Sequence, residues 1–344
     1  MKDCQTQQVD SMPVHCQPIL EVRGATGEAG EQQLSRLLAE LSQKGLRLAL
    51  VCQHDQSNAL LAERPGATIL YRSILDPAAP EDTRLLHDLV GGHDLVLLLG
   101  DYQYGAAQLL FQPSNETKSA EPNSPVVYVS RPGDTPSRMN QAVQAWLTRI
   151  CTATPLWACV LIGGRSSRMG SPKHLLAKRN ATWLEETVAL LRPLTHGIIL
   201  SGSGDVPQSL SDLPRLADAP GVQGPLAGIL AAMRWQPRFS WLLLACDMPV
   251  ISSSALEWLL ARRAPGSWGV VPRLEHDGFV EPLLAHYDFR AARYFEDLAT
   301  SNCFKIGQVA RRSKIETPVI PEALRDSWLN INTPAQLKAA RELF

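Results

Sequence analysis

The feature that most constrains this chain is a repeated alternation of short apolar runs with segments of helical periodicity. Apolar runs of strand length occupy residues 46–52, 95–99, 126–129, 157–162, 198–200, 241–245 and 269–271. Runs that are apolar at nearly every position, separated by helix-length segments, are typical of parallel sheets covered by helices. We therefore predict an α/β protein whose sheets are mainly parallel and flanked by helices.

The length of the chain, and a break in its pattern near residue 150, predict two such domains. At 344 residues the chain exceeds what one hydrophobic core usually supports. Residues 1–17 are polar and are predicted to form a flexible tail, followed by a first domain at 18–150. Near Arg149 a helical stretch ends and a fresh strand follows, so the second domain is placed at 157–344. Helical patterns in the second domain cover residues 182–191, 226–234, 254–262 and 334–343.

The composition excludes several classes of protein. Lys plus Arg is 33 and Asp plus Glu is 34, a net charge of -1, so no global basic field attracts nucleic acid or acidic lipid. The seven cysteines are odd in number and lack a C-x-x-C spacing, which argues against disulfides and structural zinc. No apolar run reaches the roughly 20 residues of a membrane span, and the N-terminus does not resemble a secretory signal. We expect a soluble, cytoplasmic protein that binds neither nucleic acid nor membrane.

A glycine-containing turn follows the first strand of the second domain. Gly163 and Gly164 allow a ligand to approach the backbone, and Arg165, Arg168 and Lys173 place three cations within nine residues. Such a turn suits a triphosphate, although the same pattern occurs in surface turns with solvated charges. It is not a Walker A loop, because G-x-x-x-x-G-K-[ST] is absent from this segment.

Two carboxylates stand in positions compatible with nucleotide binding. Asp247 follows a buried strand, where open α/β sheets bind ligands, and could hold Mg²⁺ between phosphates or serve as a strand-end cap. Asp218 lies six residues before Gly224, which precedes a helix that opens with Pro225. Taken alone, Asp218 is typical of a turn residue.

Five motifs in order resemble one family. The segments LIGGRSSRMGSPKHLL, DAPGVQGPLAGILAAM, LLLACDMP, EPLLAHY and LNINTPAQL, which together span most of residues 157–344, resemble the molybdenum cofactor guanylyltransferases, the MobA-like nucleotidyltransferases. This resemblance implies a Rossmann-like nucleotidyltransferase fold. It also implies transfer of GMP from Mg-GTP to the phosphate of molybdenum-molybdopterin, with release of pyrophosphate.

The resemblance also implies roles for single residues. Lys173 and Arg168 match the family's phosphate-contacting lysine and its neighbouring arginine, and Asp247 matches the magnesium ligand. These three are the expected catalytic residues. The expected nucleotide-binding positions are Leu161, Ile162, Gly163, Lys173, Ser201, Asp218 and Asp247, and the substrate-side positions are Asn330 and Asn332.

Three departures from the family pattern keep alternatives open. Ile162 replaces a small alanine, Pro172 precedes Lys173 as in the cytidylyltransferase branch, and Ser201 stands where an asparagine often contacts the nucleotide. A cytidylyltransferase making the cytosine dinucleotide cofactor is therefore one alternative. A non-catalytic molybdopterin carrier is a further alternative, favoured only by the degenerate first domain described next, although a carrier has no need of a complete Mg-triphosphate site.

The first domain resembles a degenerate MobB-type GTP-binding partner in its strand, glycine loop and helix. The spacing between Gly24 and Gly30 is one residue longer than the Walker pattern, and Glu31 and Gln32 replace its Lys and Ser/Thr. A glutamate at that position repels phosphate, so we expect no GTP hydrolysis by this domain. It either docks the cofactor, an apo-molybdoenzyme or chaperone, or a second copy of the chain, or it serves only as a scaffold.

Overall fold

A computed structural model describes residues 17–25, 27–53, 67–112, 124–131, 133–162, 172–178, 180–276 and 278–340. The chain divides into two compact units, Met1–Ala153 and Thr154–Phe344. Except for Gln17, the predicted flexible tail lies outside the described residues. None of the described helices has the length and apolar character needed to cross a bilayer.

The first unit contains a six-stranded sheet in which every pairing is parallel. Its strands are β1 (Ile19–Arg23), β2 (Leu48–Cys52), β3 (Ala67–Tyr71), β4 (Leu95–Leu99), β5 (Ala107–Phe111) and β6 (Val126–Ser130). Their order across the sheet is β3-β2-β4-β1-β5-β6. The apolar runs predicted at 46–52, 95–99 and 126–129 correspond to β2, β4 and β6.

In the part of the first unit that the structure describes, three helices accompany this sheet: α1 (Gly27–Gln43), α2 (Pro80–Gly92) and α3 (Pro136–Ala153). Leucines spaced three and four residues apart form the buried stripe of α1, namely Leu34, Leu37, Leu38 and Leu41. They join side chains of β1, β2, β4 and α3 in one apolar core.

The second unit contains a seven-stranded sheet of mixed direction. Its strands are β7 (Leu156–Leu161), β10 (Gly197–Ser201), β11 (Arg215–Leu216), β12 (Ser240–Ala245), β13 (Gly269–Val270), β14 (Ala285–Tyr287) and β15 (Ile315–Glu316), and a separate two-stranded ribbon pairs β8 (Ala177–Lys178) with β9 (Ala181–Thr182). The order is β11-β10-β7-β12-β14-β13-β15, and only β14 runs antiparallel to its neighbours. The prediction of two α/β units with mainly parallel sheets is confirmed.

Helices cover both faces of this second sheet. They are α4 (Trp183–Leu191), α5 (Pro225–Trp235), α6 (Ser253–Leu260) and α7 (Ala292–Thr300), whereas α8 (Pro334–Ala340) contributes Leu337 to a separate small cluster with Trp183 and Ile331. Side chains of β12 alternate between two cores: Trp241 and Leu243 pack on the side of α5 and α7, whereas Leu242 and Leu244 pack on the side of α4 and α6. Burial on both faces explains why this strand is apolar throughout.

Candidate functional site

The carboxyl ends of three parallel strands meet at one edge of the second sheet. The Ile162 amide, just beyond β7, donates to the Ser201 carbonyl of β10 at 2.8 Å, and the Cys246 amide, just beyond β12, donates to the Leu161 carbonyl at 3.2 Å. These bonds fix the strand ends against one another. Asp247 therefore emerges beside the start of the segment that follows β7.

Three side chains distant in sequence meet at this edge. The Lys173 ammonium lies 3.2 Å from Oδ2 of Asp247 and donates to Oδ1 of Asn332 at 2.6 Å. The Lys173 and Asp247 side chains are 14% and 22% exposed, so the ion pair is largely shielded but reachable from solvent. An ammonium carries three N–H donors, which leaves one that no described residue accepts.

Asp247 retains an acceptor without a partner. Its Oδ1 is buried and accepts no hydrogen bond within the described ranges. An unsatisfied buried carboxylate oxygen costs on the order of 1–3 kcal/mol, which a bound cation or donor would recover. Mg²⁺ is commonly held by one or two carboxylates together with substrate phosphates and water, so this single carboxylate fits the ion. Within the described residues no group of three or more His, Cys, Asp or Glu side chains could hold a metal.

The loop before α8 positions Asn332. The Ile331 amide donates to the Asp247 carbonyl at 2.9 Å, and the Ile331 side chain is fully buried. Oε1 of Gln336 accepts from the amides of Asn332 at 2.7 Å and Thr333 at 3.0 Å, and the Gln336 amide donates to Oγ1 of Thr333 at 3.2 Å. This is a capping box, and it orients Asn332 towards the ammonium of the lysine.

A buried histidine positions Lys173. Lys173 opens a short 3-10 helix, Lys173–Leu175, in which His174 is only 2% exposed. Nε2 of His174 lies 2.8 Å from the Asp205 carbonyl, which can only accept, so Nε2 carries the proton. Sequence reasoning missed His174, because a histidine after a lysine has no pattern of its own.

The strand-end residues that the sequence predicts to bind a nucleotide are packed into the protein. Ile162 is 4% exposed and belongs to the apolar core. Ser201 is 1% exposed, and its hydroxyl donates to the Gly228 carbonyl of α5 at 3.4 Å, so its side chain faces the helix rather than the ion pair. Leu161 packs against Gly228, where an added Cβ would lie 2.6 Å from Leu161 Cδ2.

Gly202 allows the closest approach at this edge. It has φ +112°, and an added Cβ would lie 1.9 Å from the Ile162 carbonyl oxygen. No other residue fits there without displacing the end of β7.

Of the remaining predicted residues, the structure describes two, Asp218 and Asn330, and does not describe the other two. Asp218 is exposed in the loop between β11 and α5, and the next amide, that of Ala219, donates to the Ala227 carbonyl at 3.1 Å. Asn330 is half-buried, two residues before Asn332. Gly163 and Arg168 lie outside the described residues. The structure thus brings together Lys173, Asp247 and Asn332.

Comparisons with known proteins concern this part of the chain. A family model described as the MobA-like NTP transferase domain matches residues 158–305. The molybdenum cofactor guanylyltransferase of Rhizobium meliloti is 34% identical over 200 residues, covering 53% of this chain and 89% of that protein. The molybdenum cofactor biosynthesis bifunctional protein of Synechocystis is 32% identical over 186 residues, covering 53% of this chain and 52% of that protein, so the chain spans about half the length of this relative.

A solved structure is similar over the same share of the chain. The crystal structure of molybdopterin-guanine dinucleotide biosynthesis protein A from Archaeoglobus fulgidus is 29% identical. The match covers 54% of this chain and 97% of the chain in that structure, with a TM-score of 0.44.

Proposed function

The chain belongs to the family of molybdenum cofactor guanylyltransferases with a MobA-like NTP transferase domain, and from this premise we propose its reaction. The second unit transfers GMP from GTP to the phosphate of molybdenum-molybdopterin and releases pyrophosphate. The observation that carries the proposal is the convergence of Lys173, Asp247 and Asn332 at the carboxyl edge of a nucleotidyltransferase sheet.

The chemistry requires positioning and charge neutralisation rather than a covalent intermediate. A phosphate oxygen of the acceptor forms a bond to the α-phosphorus of GTP, while the bond to the pyrophosphate oxygen breaks and pyrophosphate leaves with the electron pair. Negative charge grows on the departing group. The third N–H of the Lys173 ammonium is available to a phosphate oxygen, and Asn332 and Asp247 hold that ammonium in place.

Asp247 would hold a divalent ion, which we propose to be Mg²⁺. Its unpartnered Oδ1 supports this role. When bound between the carboxylate and the phosphates, the ion would neutralise part of the triphosphate charge. Arg168, Gly163, Asp218 and Asn330 remain proposed contacts of the same site, as do the backbones of Leu161, Ile162 and Ser201.

Product analysis tests the proposal. Purified full-length protein is supplied with Mg²⁺, molybdenum-loaded molybdopterin and either GTP or CTP, and pyrophosphate and the dinucleotide mass are measured. We expect turnover with GTP alone. Turnover with CTP alone would make the protein a cytidylyltransferase, and tight molybdopterin binding without turnover would make it a carrier. In the same assay Lys173→Ala should turn over far more slowly than wild type, and Lys305→Ala, which removes an exposed lysine of the same unit, is its matched control and should not.

We propose that the first unit is a degenerate MobB-like domain that does not hydrolyse GTP. In the structure α1 begins at Gly27, with Glu28 in its first turn and half-buried Glu31 on the next. The N-terminus of a helix attracts phosphate. Acidic side chains already placed there take up that favourable position and repel the phosphates of a nucleotide. With GTP and Mg²⁺ but no molybdopterin, the full-length protein should release no inorganic phosphate; steady phosphate release would contradict this assignment.

A further inference from the structure

The two sides of Asp247 differ in what the sheet places there. Apart from Asp247 itself, every residue proposed for the nucleotide lies at the end of β7, β10 or β11 or in the segment that follows it, and these strands lie on one side of β12. On the other side, β14 is antiparallel to both β12 and β13, so β13 is parallel to β12 and ends at the same edge. Two strand spacings, about 10 Å, separate the ends of β12 and β13. In an in-line displacement the acceptor enters opposite the leaving group, so the β13 side is where an acceptor would lie.

The segment after β13 forms a braced projection, and we name its described residues, 272–276 and 278–281, the arm. At its base the Glu281 amide donates to the Pro272 carbonyl at 2.7 Å, and Arg273 forms bridges with Val280 and Val319. The Arg273 guanidinium donates to the His276 carbonyl at 2.8 Å and to Oγ1 of Thr317 at 2.6 Å. These contacts hold the arm in a fixed shape.

The arm carries an exposed aromatic ring and an unpartnered carboxylate. Phe279 is 95% exposed, the largest exposure among the large apolar side chains that the structure describes. Glu281 is partly buried, its carboxylate pairs with no described residue, and this desolvation raises the pKa of Glu281. Val280 between them lies in a β-bridge, and residues on either side of a position in extended backbone project to one side, about 7 Å apart, so we place Phe279 and Glu281 on the same side. A ring and a desolvated carboxylate that share one side indicate a ligand site.

We propose that the arm binds the pterin ring of the acceptor, with Phe279 stacking on the ring and Glu281 accepting hydrogen bonds from its 2-amino group and N3–H. This inference rests on the proposed function, since it names residues for the acceptor of that reaction. A carboxylate matches the two parallel donors of a 2-amino-4-oxopyrimidine edge, and an aromatic face matches its flat ring. Guanine has the same edge, but the residues proposed for the nucleotide lie on the opposite side of β12.

Binding without turnover tests the arm. Equilibrium binding of molybdopterin to the full-length protein is measured without nucleotide, for wild type, Phe279→Ala and Glu281→Gln. We expect Kd to rise about tenfold in each variant, in line with the loss of one stacked ring or one charge-assisted hydrogen bond. Leu274→Ala and Glu275→Gln, at an apolar and a carboxylate position of the same arm, are the matched controls and should stay within twofold of wild type. Phe279→Tyr should restore binding, because it keeps the ring.

Two competing ligands test whether Glu281 recognises the 2-amino group of the pterin. 6-Hydroxymethylpterin has the 2-amino group, and 6-hydroxymethyllumazine has an oxygen there. Wild type should prefer the pterin by about tenfold, and Glu281→Gln should lose that preference while its thermal unfolding stays cooperative. Unchanged molybdopterin binding in Phe279→Ala and Glu281→Gln would overturn the proposal. So would a rise in the KM for GTP without a rise in the KM for molybdopterin, because the ring bound would then be guanine.

The two proposals fail separately in these assays. Loss of molybdopterin binding in the arm variants, in a protein that transfers no nucleotide, would support the arm and refute the transferase. Normal nucleotide transfer with unchanged binding and KM in both variants would support the transferase and refute the arm.

Discussion

One buried histidine should make the second unit sensitive to mild acid. His286 lies on β14 between Leu242 and Val270 of the neighbouring strands and is 3% exposed. Neither ring nitrogen has a hydrogen-bond partner among the described residues. Burial, and to a smaller extent the nearby Arg263, lower the pKa of His286 to about 3, whereas Asp288 acts in the opposite direction.

The depressed pKa fixes the sign and size of the effect. The unfolded chain has a histidine pKa of about 6.5, so above that pH the ring is neutral in both states and contributes nothing. Between pH 6.5 and 3 the unfolded state binds a proton that the folded state rejects, and stability falls by about 1.4 kcal/mol per pH unit. From pH 7 to pH 5 this single group should lower the free energy of unfolding by about 2 kcal/mol.

Urea unfolding followed by tryptophan fluorescence measures this loss. Seven of the eight tryptophans lie in the second unit, Trp146 being the exception, so the signal reports mainly on that unit. The decrease in stability from pH 7 to pH 5 should be about 2 kcal/mol smaller in His286→Leu than in wild type. The matched control is His276→Leu, at an exposed position of the same unit. Equal pH dependence of His286→Leu and wild type would refute the reasoning.

Three further predictions follow from the edge of the second sheet. Lys173→Ala should lower pyrophosphate release roughly 100-fold or more, since one well-placed donor to growing charge contributes about 3–4 kcal/mol, and near-normal turnover would remove this lysine from the mechanism. Gly202→Ala should lower the Tm of the second unit more than Gly221→Ala, because both glycines have positive φ but only the first would meet another atom. Gln336→Ala should lower kcat/KM about tenfold by releasing Asn332, an effect of about 1.4 kcal/mol, and Gln336→Glu, which keeps the acceptor, should restore it. Equal activity of the two Gln336 variants would exclude the positioning role.

The sequence predicted the central strands because their burial on both faces leaves a pattern. β12 is apolar at successive positions, and its ends in the structure, Ser240–Ala245, differ by one residue from the predicted 241–245. The buried leucine stripe of α1 could be predicted equally well, because its leucines recur at helical spacing. β14 was not predicted: it has three residues, Ala285–Tyr287, and the histidine at its centre interrupts the apolar run. Its direction depends on pairing across the sheet, which no local pattern encodes.

The site could be predicted only in part for a related reason. The rule that ligands bind at the carboxyl ends of parallel strands placed Asp247 at the edge, and the family resemblance singled out Lys173 and Asn332. The contact between Lys173 and Asn332 joins residues 159 positions apart, and it depends on how α8 packs. His174 acts through a hydrogen bond to the backbone, which many residue types can make, so its identity carries no signal in a single sequence. Thr333 and Gln336 do match the S/T-x-x-E/Q pattern of a capping box, but that pattern marks a helix start and not the neighbouring asparagine as a site residue.

The antiparallel direction of β14 has a consequence for how such an enzyme can change its acceptor. Because β14 pairs with β13, the arm is a loop of a hairpin between adjacent strands. A hairpin loop can change in length or in sequence while every strand keeps its place. The segments after β7, β10 and β11, which are proposed to bind the nucleotide, would stay unchanged. Exchange of the arm alone is therefore a direct route by which evolution, or a protein engineer, could redirect the same transfer chemistry to another acceptor.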